Sequence, residues 1–139
     1  MKIYLSPQDP PDQAYKHISN LVAFDNQVLD HEASVIIADK FLSQFFYNEI
    51  SSVIDKIISK MRLKSSITLV EPDMDLLAQK YIRDDIDLEI INNLMFNGRA
   101  TKSILSMRSL INAVGGKLSI TEKHFDENNA QIILKAGRN

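Results

Sequence analysis

Charged side chains directly follow two apolar runs that have the character of buried strands. Asp39 and Lys40 come after the run Ser34–Ala38. Glu71 comes after the run Ile67–Val70. Open α/β sheets bind their ligands beyond the carboxyl ends of the strands, so these positions are candidates for a site. A carboxylate or a lysine there can transfer protons as a general acid or base, and we name Asp39, Lys40 and Glu71 as candidate catalytic residues.

The same residues also have non-catalytic interpretations. A lysine at the end of a strand is most often a solvated side chain, and this alternative stays open for Lys40. Asp73, two residues beyond Glu71, is suited to capping a helix. Residue types alone do not decide between these roles.

Other kinds of site are not indicated by the sequence. No two histidines have the four-residue spacing of a helical metal-binding pair; they are His17, His31 and His124. The chain has no cysteine, which excludes disulfides, thiolate catalysis and cysteine metal ligands. We therefore predict no metal site. A basic set is predicted to lie on a solvated helix face; it comprises Arg99, Lys102, Arg108 and Lys117.

Length and charge indicate one ordinary globular domain, residues 1–139. The chain of 139 residues is 45% hydrophobic and 24% charged, and its formal net charge is −2. This charge gives no basic field, so we do not expect nucleic acid as a partner. No apolar run approaches the ~20 residues of a membrane span, and the first residues do not open a signal peptide. We expect no membrane association and a cytoplasmic location.

The elements that position the candidate residues form a strand–helix–strand pattern. Between the two apolar runs, apolar residues recur at the spacing of one helix face; they are Ile50, Val53, Ile54, Ile57, Ile58 and Met61. We predict a helix over Asn48–Met61 that connects two parallel strands. On this pattern, Ile54 and Ile57 should be buried.

Shorter patterns extend the sheet and add helices. Further strands are predicted over Lys2–Leu5, Leu21–Phe24, Val28–Leu29, Lys117–Glu122 and Ala130–Ala136, the last two as an antiparallel hairpin. Helices are predicted after Asp73, from Asp84-Asp85 to a break at Asn97-Gly98-Arg99, and from a cap at Thr101 to Gly115, the predicted left-handed cap. The fold class is therefore α/β: a Rossmann-like, doubly wound, mainly parallel sheet with an antiparallel C-terminal hairpin, in three α/β/α layers.

Three stretches in order carry a resemblance to a known family. They are Ala38-Asp39-Lys40-Phe41-Leu42-Ser43-Gln44-Phe45, Met61-Arg62-Leu63-Lys64-Ser65-Ser66 followed by a strand and Glu71-Pro72-Asp73, and Ser103 to Val114 followed by Gly115. The order resembles the later half of a class I S-adenosylmethionine-dependent methyltransferase. It is similar to small methyltransferases with Ala-Ser-His-Val-Leu-Glu-His-Phe after strand four, then Arg-Val-Leu-Lys-Pro-Gly-Gly, a strand and Val-Pro-Asp.

The resemblance implies a site for S-adenosylmethionine beyond the first strands. The family has a Leu-Gly-Cys-Gly type loop after strand one, and by position the resemblance assigns cofactor binding to Leu5, Ser6 and Gln8. It also implies Asp25 as the acid that holds the ribose after strand two, and Asp30 near the adenine; a turn role is the alternative for both. The loop has no glycine, and Pro7 has no backbone donor.

More than one function is compatible with these features. The chain is interpreted as a divergent S-adenosylmethionine-dependent methyltransferase-like protein with a degraded cofactor site. The alternatives are a non-catalytic interaction or structural subunit on the same fold, or a small-ligand-binding module. Little chain is available before Ser34 for the helix usual in the fold, so one sheet face should be thinly covered. We therefore predict a homodimer whose partner covers that face; the methyl acceptor or protein partner is not indicated.

Overall fold

A computed structural model describes residues 1–96 and 99–139 as a six-stranded sheet with helices. The strands are β1 (Lys2–Leu5), β2 (Lys16–Ile18), β3 (Ala33–Asp39), β4 (Met61–Pro72), β5 (Ser119–Asp126) and β6 (Gln131–Gly137). The helices are α1 (Leu21–Gln27), α2 (Ile50–Lys60), α3 (Met74–Ile82), α4 (Leu88–Phe96) and α5 (Met107–Val114). Two short 3-10 turns, Leu42–Gln44 and Tyr47–Glu49, precede α2.

The sheet has the order β2-β1-β3-β4-β6-β5. Strands β2, β1, β3 and β4 are parallel, whereas β6 is antiparallel to both β4 and β5. The predicted α/β fold with an antiparallel C-terminal hairpin is confirmed. The predicted parallel pairing of the strands on either side of α2 is also confirmed, because Ile36 lies opposite Ile67 in parallel register.

One face of the sheet carries the main hydrophobic core. Its residues form two ladders across four strands, Ile3–Ile36–Ile67–Ala136 and Leu5–Ala38–Leu69–Leu134. Helices α1, α2 and α5 contribute to the same core through Phe24, Ile54, Ile57, Leu110 and Val114. The predicted burial of Ile54 and Ile57 is confirmed, with 1% and 0% of their surfaces exposed.

The opposite face of the sheet is less completely covered. Its side chains are those that alternate with the ladders, and four apolar ones are only half-buried: Val35, Ile37, Val70 and Ile133. A second, smaller cluster joins α3 and α4 to Ala130, the residue directly before β6, through Leu76, Leu77 and Met95. None of the helices in the described residues is long and apolar enough to cross a membrane.

The predicted strands Leu21–Phe24 and Val28–Leu29 are wrong. The first lies in helix α1, and Val28 is the residue that ends this helix. Asn20 caps it, because its side chain accepts a hydrogen bond from the backbone N–H of Ala23 at 2.8 Å. A four-residue apolar run fits a strand or a helix equally well. Here the Asn20 cap and the packing of Phe24 in the core stabilise the helix.

The last helix also begins later than predicted. Ser106 caps α5, and the predicted cap Thr101 instead donates its hydroxyl hydrogen to the carbonyl of Met95. Gly116, not Gly115, has the left-handed conformation, with φ of 76°. The predicted break at Asn97-Gly98 lies outside the described residues.

We expect Ile57→Ala to lower the free energy of unfolding by about 2–5 kcal/mol, since the side chain is fully buried against the sheet. Ile82→Ala is the matched control, because Ile82 is 79% exposed at the end of α3; it should change stability by less than about 0.5 kcal/mol. Urea unfolding measures both. Equal effects would contradict the packing described here.

Candidate functional site

Polar side chains from three parallel strands meet at their carboxyl ends. Asp39 is the last residue of β3, and Glu71 is the penultimate residue of β4. Tyr4, near the end of β1, donates its hydroxyl hydrogen to Oδ2 of Asp39. Burial, and then the hydrogen bond and the charge of Asp39, raise the pKa of Tyr4, so it remains a neutral donor.

Glu71 is fully buried beneath the turn that follows β3. Its Oε2 accepts hydrogen bonds from the backbone N–H groups of Leu42 at 3.0 Å and Ser43 at 3.4 Å. Its Oε1 has no hydrogen-bond partner among the described residues. Burial raises the pKa of Glu71 to about 7, and the negative charge of Asp39 adds to this, while hydrogen bonds from Ser43 and Leu42 oppose it.

Lys40 is held in an uncommon backbone conformation beside these carboxylates. Its φ is 54°, in the left-handed region, and its backbone N–H donates to the carbonyl of Val70 at 2.7 Å. Its ammonium Nζ lies 3.8 Å from Oδ1 of Asp39, and both side chains are mostly buried. Lys40 is therefore a partly desolvated member of the cluster, rather than a fully solvated lysine.

Arg99 completes the cluster from a distant part of the chain. Its Nε is buried without a hydrogen-bond partner among the described residues, while another guanidinium nitrogen donates to the carbonyl of Leu94. Burial lowers the pKa of Arg99, and the negative charges of Glu71 and Asp39 oppose that shift. The prediction that Arg99 lies on a solvated helix face is therefore wrong for this residue, whereas Lys102, Arg108 and Lys117 are exposed.

A polar pocket of about 230 Å³ opens at this edge of the sheet. It is lined by Gln8, Lys40, Pro72, Asn93, Leu94, Arg99, Asn129 and Gln131. Three candidate catalytic residues from the sequence, Asp39, Lys40 and Glu71, thus lie together, and Lys40 faces the same pocket as Gln8. No group of three or more His, Cys, Asp or Glu side chains among residues 1–96 and 99–139 is arranged to hold a metal ion.

The loop after β1 uses its own backbone donors internally. The N–H of Ser6 donates to the carbonyl of Ile18 at 3.2 Å, and the N–H of Gln8 donates to the hydroxyl of Ser6 at 3.1 Å. Pro7 has no N–H to offer. The carbonyl of Ser6 lies 2.8 Å from Nε2 of His17, which ties the loop to β2. Leu5 is directed into the core and Ser6 is buried, so of the predicted loop contacts Gln8 alone lines the pocket.

Asp25 and Asp30 do not lie where the resemblance implied. Asp25 is in α1 and pairs with Nζ of Lys56 at 2.7 Å, so it does not follow a strand. Asp30 pairs with Nζ of Lys60 at 3.1 Å, and Lys60 is the residue immediately before β4. Because β3 and β4 are parallel, this is the edge of the sheet opposite to the cluster. The misassignment of Asp25 follows from the wrong strand at Leu21–Phe24.

Asp73 has a structural role at the same edge. One carboxylate oxygen accepts from the N–H of Leu76 at 3.1 Å, and the other accepts from the N–H of Met107 at 3.3 Å. This buried side chain therefore joins the first turns of α3 and α5. Burial raises the pKa of Asp73, against the effect of these hydrogen bonds.

Sequence reasoning missed Tyr4 and Arg99 as members of the cluster. The signal for Tyr4 was available, because alternation in β1 directs Ile3 and Leu5 to one face and Tyr4 to the other. No comparable signal marked Arg99, which is 28 residues beyond Glu71 and belongs to no regular element.

The sheet order and the antiparallel last strands are those of the class I S-adenosylmethionine-dependent methyltransferase fold. Magnesium protoporphyrin IX methyltransferase from Synechocystis, solved with bound S-adenosylhomocysteine, has a TM-score of 0.56 at 16% identity over 90% of this chain and 52% of that one. An O-methyltransferase family protein from Burkholderia thailandensis has a TM-score of 0.61 at 13% identity, over 90% and 36%. A methyltransferase from Archaeoglobus fulgidus has a TM-score of 0.55 at 12% identity, over 92% of this chain and 70% of that one.

These comparisons confirm the resemblance at the level of the fold. The chain spans about half the length of the Synechocystis enzyme and about a third of the Burkholderia protein. No protein-family model and no curated protein matches the sequence.

We expect Glu71→Gln to remove a pH-dependent loss of stability. The folded-state pKa of Glu71, about 7, is above its ordinary value of 4.5, so wild-type stability should fall as pH rises between these values. A shift of this size corresponds to about 2–4 kcal/mol. Glutamine can still accept the two backbone hydrogen bonds, so the variant should lose this part of the pH dependence.

Urea unfolding at pH 5, 6, 7 and 8 measures the effect as the difference between variant and wild type. Glu127→Gln, at an exposed position between β5 and β6, is the control and should follow the wild-type profile. Parallel profiles for wild type and Glu71→Gln would show that the buried carboxyl does not titrate in this range.

Proposed function

We propose that this chain is a divergent methyltransferase-like protein whose cofactor site is degraded and which acts as a non-catalytic binding subunit. The observation that carries this proposal is the hydrogen bonding of the loop after β1. The donors at Ser6 and Gln8 are occupied within the protein, and Pro7 contributes none. A cofactor carboxylate approaching this loop would find no free N–H at these three residues.

The expected loss of affinity follows from the size of hydrogen-bond energies. One net hydrogen bond contributes on the order of 1 kcal/mol, and more when a charge is involved. The family resemblance implies glycines at this loop, which allow the ligand close to the backbone, whereas Ser6, Pro7 and Gln8 all carry Cβ atoms. Losing several contacts and adding steric obstruction would weaken binding by roughly two to four powers of ten.

The expected ribose contact supports the same proposal. The resemblance implies an acid after strand two, and β2 ends at Ile18. The next residues are Ser19 and Asn20, and the side-chain oxygen of Asn20 already caps α1. Asp25 is engaged with Lys56 on α2. No carboxylate therefore directly follows β2 to accept two hydrogen bonds from a vicinal diol.

A working methyltransferase is the second candidate function. Its supporting observation is the grouping of Asp39, Lys40 and Glu71 at the carboxyl ends of β3 and β4, where open α/β sheets bind their ligands and where such groups can transfer protons. The two candidates differ in one measurable property. An enzyme would transfer labelled methyl groups from S-adenosylmethionine to an acceptor, whereas a binding subunit would not.

We expect isothermal titration calorimetry to give dissociation constants in the high micromolar range or weaker for S-adenosylmethionine and S-adenosylhomocysteine. Asp25→Ala should leave any residual binding unchanged, because Asp25 lies in α1 and is paired with Lys56. A low-micromolar constant for the wild-type chain would contradict the proposal.

A loop variant tests the stated cause of the weak binding. Ser6→Gly removes the hydroxyl that accepts from Gln8, and Pro7→Gly restores a backbone donor. The double variant should bind S-adenosylhomocysteine at least tenfold more tightly than wild type. Unchanged affinity in a folded double variant would mean that the loop donors are not the deficit.

The homodimer stays a prediction, now directed at the half-covered sheet face. Val35, Ile37 and Ile133 on this face are only half-buried, and a second copy would cover them. Sedimentation velocity at micromolar concentrations should detect the dimer, and Ile37→Lys should shift it toward monomer. A monomer across that range would contradict the prediction.

A further inference from the structure

We infer that the pocket at the carboxyl edge of the sheet binds a small monocarboxylate bearing hydroxyl groups, held by Lys40 and Arg99. This inference goes beyond the proposed loss of cofactor binding. It concerns what the pocket recognises, and it is measured by a separate titration.

The lining of the pocket is rich in hydrogen-bond donors. Its volume of about 230 Å³ suits a molecule smaller than the drug-sized ligands that occupy roughly 300–1,000 Å³. Among the described residues, two cations line it, Lys40 and Arg99, and no carboxylate does. An anion is therefore the ligand that the charges of the lining favour.

One donor of Arg99 has no partner among the described residues. The Nε of Arg99 is buried, and none of the described residues accepts its hydrogen. An unpaired buried donor is costly, and a buried guanidinium donor more so. Arg99 also lines the pocket, and its guanidinium group matches the geometry of a carboxylate well.

The charge behind the lining favours a monoanion over a phosphate. The positive charges of Lys40 and Arg99 are opposed by Asp39 and by Glu71, which carries part of a negative charge near neutral pH. The net local charge therefore lies between zero and plus one. A carboxylate carries one negative charge, whereas a phosphate group carries about 1.5 to 2 and would be repelled by the two acids.

The remaining lining residues suit hydroxyl groups. Four carboxamides line the pocket: Gln8 after β1, Asn93 in α4, Asn129 before β6 and Gln131 in β6. Each carboxamide offers both donors and an acceptor, as a hydroxyl does. Because these groups come from separate elements, they can contact different parts of one small molecule.

The test is calorimetric titration of the full chain with sodium gluconate, a hydroxylated monocarboxylate, at constant ionic strength. Sorbitol has similar hydroxyls without the charge, and inorganic phosphate has an oxyanion without the carbon chain. We expect saturable binding of gluconate that is at least tenfold tighter than binding of either comparison compound. No saturable binding, or equal binding of phosphate or sorbitol, would overturn the assignment.

Variants connect the binding to the named cations. Arg99→Gln should weaken gluconate binding at least tenfold, whereas Arg108→Gln, at an exposed position in α5, should change it less than twofold. Circular dichroism checks that each variant is folded. If Arg99→Gln is unfolded, Lys40→Gln replaces it, and we expect the same tenfold loss of gluconate affinity. A folded variant at either position that binds as wild type would overturn the assignment. Tight binding of S-adenosylmethionine would contradict the proposed function alone.

Discussion

The parallel pairing of β3 with β4 is the constraint on which the rest of the structure depends. Ile36 opposite Ile67 and Ala38 opposite Leu69 place fully buried side chains in line with the neighbouring strands. A shift of one residue would exchange the buried and half-buried faces, so this register is strongly specified. Because the register is specified, Asp39 and Glu71 must both emerge at the same edge of the sheet.

Burying charged groups at that edge costs desolvation free energy, and the hydrogen bonds and ion pairs of the cluster offset it only in part. Burying a carboxylate or a guanidinium is unfavourable unless partners replace the lost water. Asp39 accepts a hydrogen bond from Tyr4 and forms an ion pair with Lys40. Glu71 accepts hydrogen bonds from two backbone N–H groups. Buried polar atoms of Asp39, Glu71 and Arg99 nevertheless lack hydrogen bonds among the described residues. Unpaired buried polar groups are rare in native proteins, and a catalytic role or an ordered water or ion is the usual explanation.

The loop after β1 uses its own backbone donors to hold its conformation. Internal hydrogen bonds from Ser6 and Gln8, together with His17, fix the loop against β2. The same N–H groups are therefore not free to donate hydrogen bonds to a cofactor. Stabilising the loop and binding a ligand through its backbone are therefore alternatives, and we propose that this chain binds a ligand through Lys40 and Arg99 instead.

The sequence by itself determined the central architecture and three of the five members of the polar cluster. Long, periodic apolar patterns predicted β3, α2 and β4, and the strand ends located Asp39, Lys40 and Glu71, because burial leaves a regular mark along the chain. Only the tertiary structure decided the rest. The short run at Leu21 fits a strand or a helix until its packing is known, and this ambiguity misplaced Asp25. Arg99 joins the site through contacts with residues distant in sequence, which no local pattern records.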